Sequence, residues 1–121
     1  MLEFSQRLRD RGRAVLAEPG RSTGRVLFEA AVAGGAQAAG RESGAIAPGL
    51  LADLVALDAG DIDLAGHRGD TMLDAWIFAA GDRVVREVWS AGRHMVTAGR
   101  HREHDRISAE FAALRARLES L

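Results

Sequence analysis

Residues 44–58, GAIAPGLLADLVALD, decide the fold. The Pro48-Gly49 pair marks a turn, because proline pre-sets φ and glycine accepts left-handed backbone. Residues 52–58 follow directly and predict a strand, whose leucines and valine indicate burial on both faces. The stretch contains no histidine, cysteine or serine. Its two acids, Asp53 and Asp58, are therefore interpreted as turn and strand-end residues rather than as acid–base groups.

Composition limits the classes of function open to the chain. Its 121 residues allow one domain with a modest core. The 16 basic and 17 acidic residues leave a net charge of −1, which gives no field to hold nucleic acid or an anionic membrane. The absence of cysteine and lysine excludes disulfides, thiolate nucleophiles, cysteine-bound zinc and Schiff bases. There is no charged-then-apolar leader and no apolar run of about 18 residues, so a cytoplasmic protein is expected.

Periodicity and turn signals predict an α+β order of helix, helix, four strands and helix. Ser22 or Thr23 caps the second helix, which runs to about Ala39 and stops at Gly40. Its Gly34-Gly35 pair predicts close approach to another element, since each glycine costs about 1 kcal/mol in a helix interior. The predicted helices are 1–17, 23–39 and 105–121, the strands are 52–58, 72–80, 84–91 and 95–98, and residues 59–71 form a loop.

The last predicted helix has a single apolar stripe. Its apolar residues are spaced 4, 3, 4 and 3 positions apart: Ile107, Phe111, Leu114, Leu118 and Leu121. We expect this stripe to dock onto the body of the protein itself. A short coiled-coil seam is the alternative, although the stripe covers barely two heptads.

A repeat raises a metal hypothesis for two histidines, because Ala91-Gly92-Arg93-His94 recurs as Ala98-Gly99-Arg100-His101. Seven residues of extended strand span about 23 Å, and an odd offset points the two rings to opposite faces. One ion therefore takes both only if the chain folds back between them. We favour the interpretation that two similar turns flank one short strand. His104 lies three residues after His101, but the last helix is expected to begin only at Asp105.

Two further clusters have a structural interpretation beside a functional one. His67 shares its loop with Asp61, Asp63 and Asp70, whose oxygens suit a cation, but the regular spacing and closing glutamate of an EF-hand are missing, so a solvated loop is favoured. Arginines alternate along the first helix at positions 7, 9, 11 and 13 and spread around its surface. A solvated face is favoured there over contact with an acidic partner or RNA. The sequence has no glycine pattern for phosphate and no GxSxG serine.

Residues 44–49 and 52–58 together resemble the C-terminal signature of the metal-dependent amidohydrolases. In that superfamily the last helix of a (β/α)8 barrel leads through a glycine turn into Ala-Asp-Leu-Val-x-Leu-Asp, a strand of a small β-sandwich. The small-residue helix ending in residues 34–40 is similar to that last barrel helix. Three more stretches resemble the formimidoylglutamate deiminase family: residues 2–11, 73–79 and 82–94. Members of that family hydrolyse N-formimino-L-glutamate to N-formyl-L-glutamate and ammonia in histidine degradation.

The resemblance implies that this chain and the catalytic residues belong to different parts of a longer enzyme. Family members hold a divalent metal, usually zinc, with a His-x-His pair, a further histidine and an aspartate, and they use a glutamate and a histidine for proton transfer. All of these match positions upstream of Met1, so the resemblance assigns no catalytic or metal-binding residue to this chain, and its substrate-binding residues stay unknown. The expected partners are the missing N-terminal part of the same enzyme and further copies in a homo-oligomer, with no nucleic acid and no membrane.

The resemblance implies an architecture in three parts. Residues 1–43 supply the last two helices of the barrel, residues 44–103 the C-terminal part of the composite β-sandwich, and residues 104–121 a terminal helix. The chain alone is expected to be inactive and to oligomerise through open strand edges. The alternatives are a non-catalytic structural or interaction fragment, and the tail of another amidohydrolase such as a guanine or triazine deaminase.

Overall fold

The computed structural model describes residues 2–12, 14–16 and 18–120. The helices are α1 (Leu2–Asp10), α2 (Thr23–Ala39), α3 (Asp70–Ala75) and α4 (His104–Glu119), with a π-helical turn (Trp76–Ala80) and a 3-10 turn (Asp82–Val84) after α3. The strands are β1 (Leu54–Leu57), β2 (Val85–Ser90), β3 (Arg93–Thr97) and β4 (Arg100–His101). They form one antiparallel sheet in the order β1-β2-β3-β4, so the predicted α+β class is confirmed. Within the described part of the chain, no helix combines the length and the apolar character needed to cross a membrane.

Helix α2 begins and ends where its sequence predicts. The Ser22 hydroxyl accepts a hydrogen bond from the Arg25 N–H at 3.1 Å, as an N-cap does. Gly40 has a left-handed φ of 60°, and the Arg41 N–H donates back to the Ala36 carbonyl at 3.0 Å. This is the Schellman arrangement that closes a helix. Both predicted ends of α2 are therefore confirmed.

Crowding on α2 lies at its first turn rather than at its glycine pair. A Cβ built on Gly34 or Gly35 meets nothing within 4 Å among the described residues. The close approach predicted for that pair is therefore wrong for this part of the molecule. A Cβ built on Gly24 instead falls 2.9 Å from the backbone nitrogen of Asp74, because α3 lies directly against the start of α2.

The prediction of a strand over residues 72–80 is wrong, because this segment is helical. Its apolar run fits a buried strand and a buried helix equally well in sequence. Two carboxylates one helical turn apart decide between them: Asp70 accepts the Ser22 N–H at 3.0 Å, and Asp74 accepts the Gly24 N–H at 2.7 Å. Both reach the open N–H groups of α2 because a helix stacks positions i and i+4, which a strand would separate by about 13 Å.

Two matching turns build the second half of the sheet. Ala91 and Ala98 both have a φ of 49°, and Gly92 and Gly99 have φ of 76° and 77°. Positive φ at both central residues is the requirement of type I′ hairpin turns, whose twist matches that of the strands. The first turn joins β2 to β3 and the second joins β3 to β4. The interpretation of two similar turns flanking one short strand is confirmed, while β4 has no counterpart in the prediction.

The fully buried core is small and includes one residue from the predicted loop. Its members are Leu64, Ala75, Ala80 and Val84, with Leu57, Met72 and Trp76 packed against them. Leu64 is only 1% exposed. Because Leu64 lies within residues 59–71, the prediction of a solvated loop is wrong for this position. The segment folds as a series of turns that carry one leucine into the core.

The two terminal helices differ from their predictions. α1 ends at Asp10, well before residue 17, because Arg11 takes a left-handed φ of 50°. Positions 1, 13, 17 and 121 of the predicted helices lie outside the described residues. None of the described residues of α4 is buried, so its apolar stripe does not dock onto the described part of this chain, contrary to the expectation.

Candidate functional site

Asp53 ties the signature strand to its surroundings. Its carboxylate accepts hydrogen bonds from Arg41 Nε at 3.0 Å and Nη2 at 2.8 Å, and from the Ala91 N–H at 2.7 Å. Arg41 follows the end of α2, and Ala91 lies in the β2–β3 turn, so one side chain joins the helix to the sheet. The Arg41 guanidinium, and after it the Ala91 N–H, hold the pKa of Asp53 below its usual range. A carboxylate that three hydrogen-bond donors keep ionised is suited to a structural role rather than to proton transfer.

His94 belongs to a second structural cluster. Its Nε2 lies 2.6 Å from Glu87 Oε2, and its ring stacks on Trp89 with the centroids 4.6 Å apart. The other oxygen of Glu87 accepts the Ala98 N–H at 3.0 Å. That N–H, and to a lesser extent His94, lowers the pKa of Glu87. The cluster therefore fastens the β3–β4 turn to β2.

The two histidines of the repeat lie on opposite faces of the sheet, as predicted. His94 pairs with Trp89, whereas Val96 pairs with the neighbouring Val88, because a bulge shifts the β2–β3 register between these pairs. Consecutive residues of β2 point to opposite faces, so His94 and Val96 do as well, and His101 shares the face of Val96 because it pairs with it across the β3–β4 hairpin. His101 Nδ1 accepts the Glu103 N–H at 3.1 Å. Across the described ranges, no three or more histidine, aspartate or glutamate side chains are grouped so that they could hold a metal ion.

The acidic residues of the predicted loop are divided between two arginines. Asp61 and Asp63 both form ion pairs with Arg83. Asp70 accepts a hydrogen bond from Arg25 Nε at 2.8 Å. A backbone N–H at the start of α2, and after it Arg25, hold the pKa of Asp70 below its usual range. These three carboxylates are therefore occupied at two separate places, which corrects the alternative of one shared cation.

The other candidates from the sequence are scattered. His67 is exposed before α3, and His104 is exposed at the first residue of α4. Arg7 lies over the ring of Phe78, 5.0 Å from its centroid, in a cation–π contact. Arg9 pairs with the adjacent aspartate, and the next arginine lies beyond the helix end. Arg7 and Arg9 are thus engaged in two separate contacts, and position 13 lies outside the described residues.

Acid should weaken the fold through Asp53, Asp70 and Glu87. The pKa of each is lower in the folded chain than in the unfolded one, where such groups titrate near about 4. Their contribution to stability is therefore present above that value and is lost as the pH falls through the folded pKa. We expect the urea midpoint of unfolding to drop between about pH 6 and about pH 3. Asp53→Asn should flatten this dependence, and an unchanged slope would contradict the assigned role.

An apolar groove of about 650 Å³ runs between α2 and β1. Its lining includes aromatic and aliphatic side chains from several elements: Phe28, Val32, Leu54, Trp76 and Trp89. The groove is continuous with exposed apolar residues, since Val55 is 52% exposed and Ile46 is 91% exposed. The exposure of Val55 corrects the prediction that β1 is buried on both faces. A groove with such a rim is the kind of surface that contacts another part of a protein or a partner.

Sequence reasoning missed Arg41, the main partner of Asp53. The two residues are 12 positions apart, and the turns between them bring them together. No periodic pattern links them, because neither lies on a regular element with the other. The available signal was weaker: an arginine directly after a helix-ending glycine and an acid directly before a strand.

Comparison with known proteins identifies the class as amidohydrolase. The structure matches an amidohydrolase from Brucella melitensis with a TM-score of 0.79 and 44% sequence identity, over 93% of this chain and 24% of that one. The sequence is 49% identical over 111 residues to formimidoylglutamate deiminase of Pseudomonas aeruginosa, over 91% of this chain and 24% of the relative, in its C-terminal part. No family model matches the chain. The resemblance is therefore confirmed, and the chain spans about a quarter of the length of both relatives.

Proposed function

We propose that this chain is the C-terminal part of a metal-dependent hydrolase that deiminates N-formimino-L-glutamate to N-formyl-L-glutamate and ammonia, a step of histidine degradation in the cytoplasm. The observation that carries the proposal is the 49% identity to formimidoylglutamate deiminase over 91% of the chain. Identity of that extent favours the same parent enzyme over another amidohydrolase, such as a guanine or triazine deaminase.

The role proposed for the chain is that of scaffold. Residues 1–43 close the barrel, residues 44–103 build the C-terminal share of the β-sandwich, and α4 follows. Two features of the described residues support this role. The groove between α2 and β1 offers apolar surface to a further element. β1 lies at an edge of the sheet and pairs with β2 alone among the described strands, so its outer edge is open to another strand.

The divalent metal of such an enzyme, zinc by the resemblance, does not fit the residues present here. In the described part of the chain no three donors converge, and Asp53, Asp61 and Asp63 are already paired with arginines. The proposal therefore assigns no metal ligand and no proton-transfer group to this chain. Those groups belong, in the proposal, to the remaining three quarters of the enzyme.

A chimera tests the proposal. This chain replaces the C-terminal quarter of the Pseudomonas relative, and ammonia release from N-formimino-L-glutamate is measured. We expect the chimera to be active, because the chain supplies the surfaces on which the rest of the enzyme packs. The relative without its C-terminal quarter should be inactive and insoluble.

A matched chimera with Asp53→Leu serves as the control. This substitution removes the carboxylate that accepts hydrogen bonds from the Arg41 side chain and the Ala91 N–H. It should lower the yield of folded enzyme and leave the turnover of the folded fraction unchanged. A folded, metal-loaded chimera that releases no ammonia would contradict the substrate assignment. Release of ammonia by the isolated chain would contradict the scaffold role.

A further inference from the structure

The described part of the apolar stripe of α4, residues 107–118, is exposed in this chain. Ile107, Phe111, Leu114 and Leu118 are between 48% and 63% exposed, and none of the described residues of this helix is buried. Their 4-3-4 spacing places them in a single row, as the a and d positions of two heptads do. A row of large apolar side chains on a helix without a covering surface is a feature of helices that pair with another helix.

Charged residues follow one edge of this stripe. Glu110 and Arg117 lie seven positions apart and therefore on the same edge, where coiled coils carry their g residues. Glu110 accepts both contacts from Arg106 of its own helix, at 2.9 and 3.0 Å. On the opposite edge Arg115 pairs with Glu119 at 2.6 Å. Arg117, in contrast, makes no ion pair with any described residue.

We propose that a second copy of this chain docks on α4, with the two α4 helices antiparallel. In this arrangement Ile107 packs against Leu118 of the second copy, and Phe111 packs against its Leu114. The same register sets Glu110 opposite Arg117 of the second copy, and the two-fold axis repeats every contact. One surface patch is thus complementary to itself in shape and in charge.

The charges favour the antiparallel pair over the parallel one. A parallel pair sets Glu110 against Arg115 of the second copy, which already pairs with Glu119 within its own helix. The antiparallel pair instead gives Arg117, the arginine without an ion pair on this helix, an acidic partner. This surface lies on α4, outside the residues that line the groove between α2 and β1.

Disulfide mapping on the full chain tests the antiparallel orientation of the two α4 helices. Because the chain has no cysteine of its own, only the introduced cysteines can be linked. Ile107→Cys and Leu118→Cys are prepared separately, then oxidised alone and as an equal mixture. The antiparallel register brings positions 107 and 118 together, so a linked pair should form mainly in the mixture. In this register the same position in the two copies, such as 107 and 107, is separated by eleven residues or about 16 Å along the helix axis. A disulfide requires Cα atoms within about 7 Å, so identical positions should not be linked. Linkage of Ile107→Cys to itself, or none in the mixture, would overturn the proposal.

Sedimentation of charge variants gives an independent measurement. Leu114→Glu lies in the stripe and should weaken self-association by about 30-fold or more, as loss of a central contact does. Ala116→Glu adds the same side chain on the opposite side of α4 and should have no effect. Arg117→Glu should weaken association, and Glu110→Arg with Arg117→Glu should restore it. Circular dichroism checks that each variant keeps its helix. A monomeric wild-type chain, or equal losses from Leu114→Glu and Ala116→Glu, would overturn the proposal.

Discussion

Replacing Leu64 by alanine is expected to lower the free energy of unfolding by about 2–5 kcal/mol, the range for a buried leucine. Leu64 is 1% exposed and packs with Ala75, Ala80 and Val84 in a core of few members. Truncation removes buried apolar surface and leaves a cavity. Because the core has few members, the surrounding side chains can fill this cavity only in part. Urea unfolding followed by tryptophan fluorescence measures the change, since Trp76 packs against this cluster.

The matched control for Leu64 is two positions away. Ile62 lies in the same run of turns and is 81% exposed. Ile62→Ala removes a comparable apolar side chain and should change stability by no more than about 0.5 kcal/mol. Equal effects at the two positions would show that the segment is a solvated loop and that Leu64 is not part of the core.

Gly24→Ala is expected to destabilise the chain by about 1–3 kcal/mol, the usual cost of overpacking. A Cβ at this position falls 2.5 Å from Asp74 Oδ1 and 2.9 Å from the Asp74 backbone nitrogen. The side chain of Asp74 can turn away, but the backbone of α3 has to move. That movement also strains the hydrogen bond from the Gly24 N–H to Asp74, which is 2.7 Å long. Thermal and urea unfolding both report the loss.

Gly35→Ala in the same helix provides the opposite expectation. Its Cβ meets nothing within 4 Å among the described residues, so alanine brings its helix propensity without a clash. The variant should be more stable than wild type by about 1 kcal/mol. Stabilisation by both substitutions would show that α3 does not press against the start of α2. If Gly35→Ala destabilised the chain, position 35 would have a close neighbour after all.

Local signals predicted the parts of the fold that depend on neighbouring residues. The N-cap at Ser22 and the left-handed stop at Gly40 act within one helical turn, so the bounds of α2 follow from the sequence. The two Ala-Gly turns also need only their own residues and the flanking strands. The same locality explains why the last helix was predicted within about one residue of its start.

Residues 72–80 show where local signals stop being sufficient. Their apolar run carries no period that separates a helix from a strand. The helical state depends on Asp70 and Asp74 reaching the start of α2, across 48 and 50 positions of sequence. Leu64 is a similar case, because one leucine among turn residues has no periodic pattern to indicate burial.

The candidate site divides in the same way. The sequence suggested a structural carboxylate at Asp53 and a resemblance to the amidohydrolases, and the comparisons confirm the resemblance. Neither the pairing of Arg41 with Asp53 nor the groove between α2 and β1 was predicted, because both arise from turns that bring distant residues together. The two histidine rings lie on opposite faces as predicted for a continuous strand, but a hairpin turn and a bulge in β3, which each invert the parity, produce that result.

The sequence by itself determined the kinship with the C-terminal part of formimidoylglutamate deiminase, the caps of α2 and the two hairpin turns. Each of these is encoded in residues that are adjacent along the chain. Only the tertiary structure decided the helical state of residues 72–80, the burial of Leu64 and the exposure of the α4 stripe. The physical reason is that burial, capping by a distant carboxylate and the covering of an apolar face are properties of contacts between remote segments, which a local pattern does not contain.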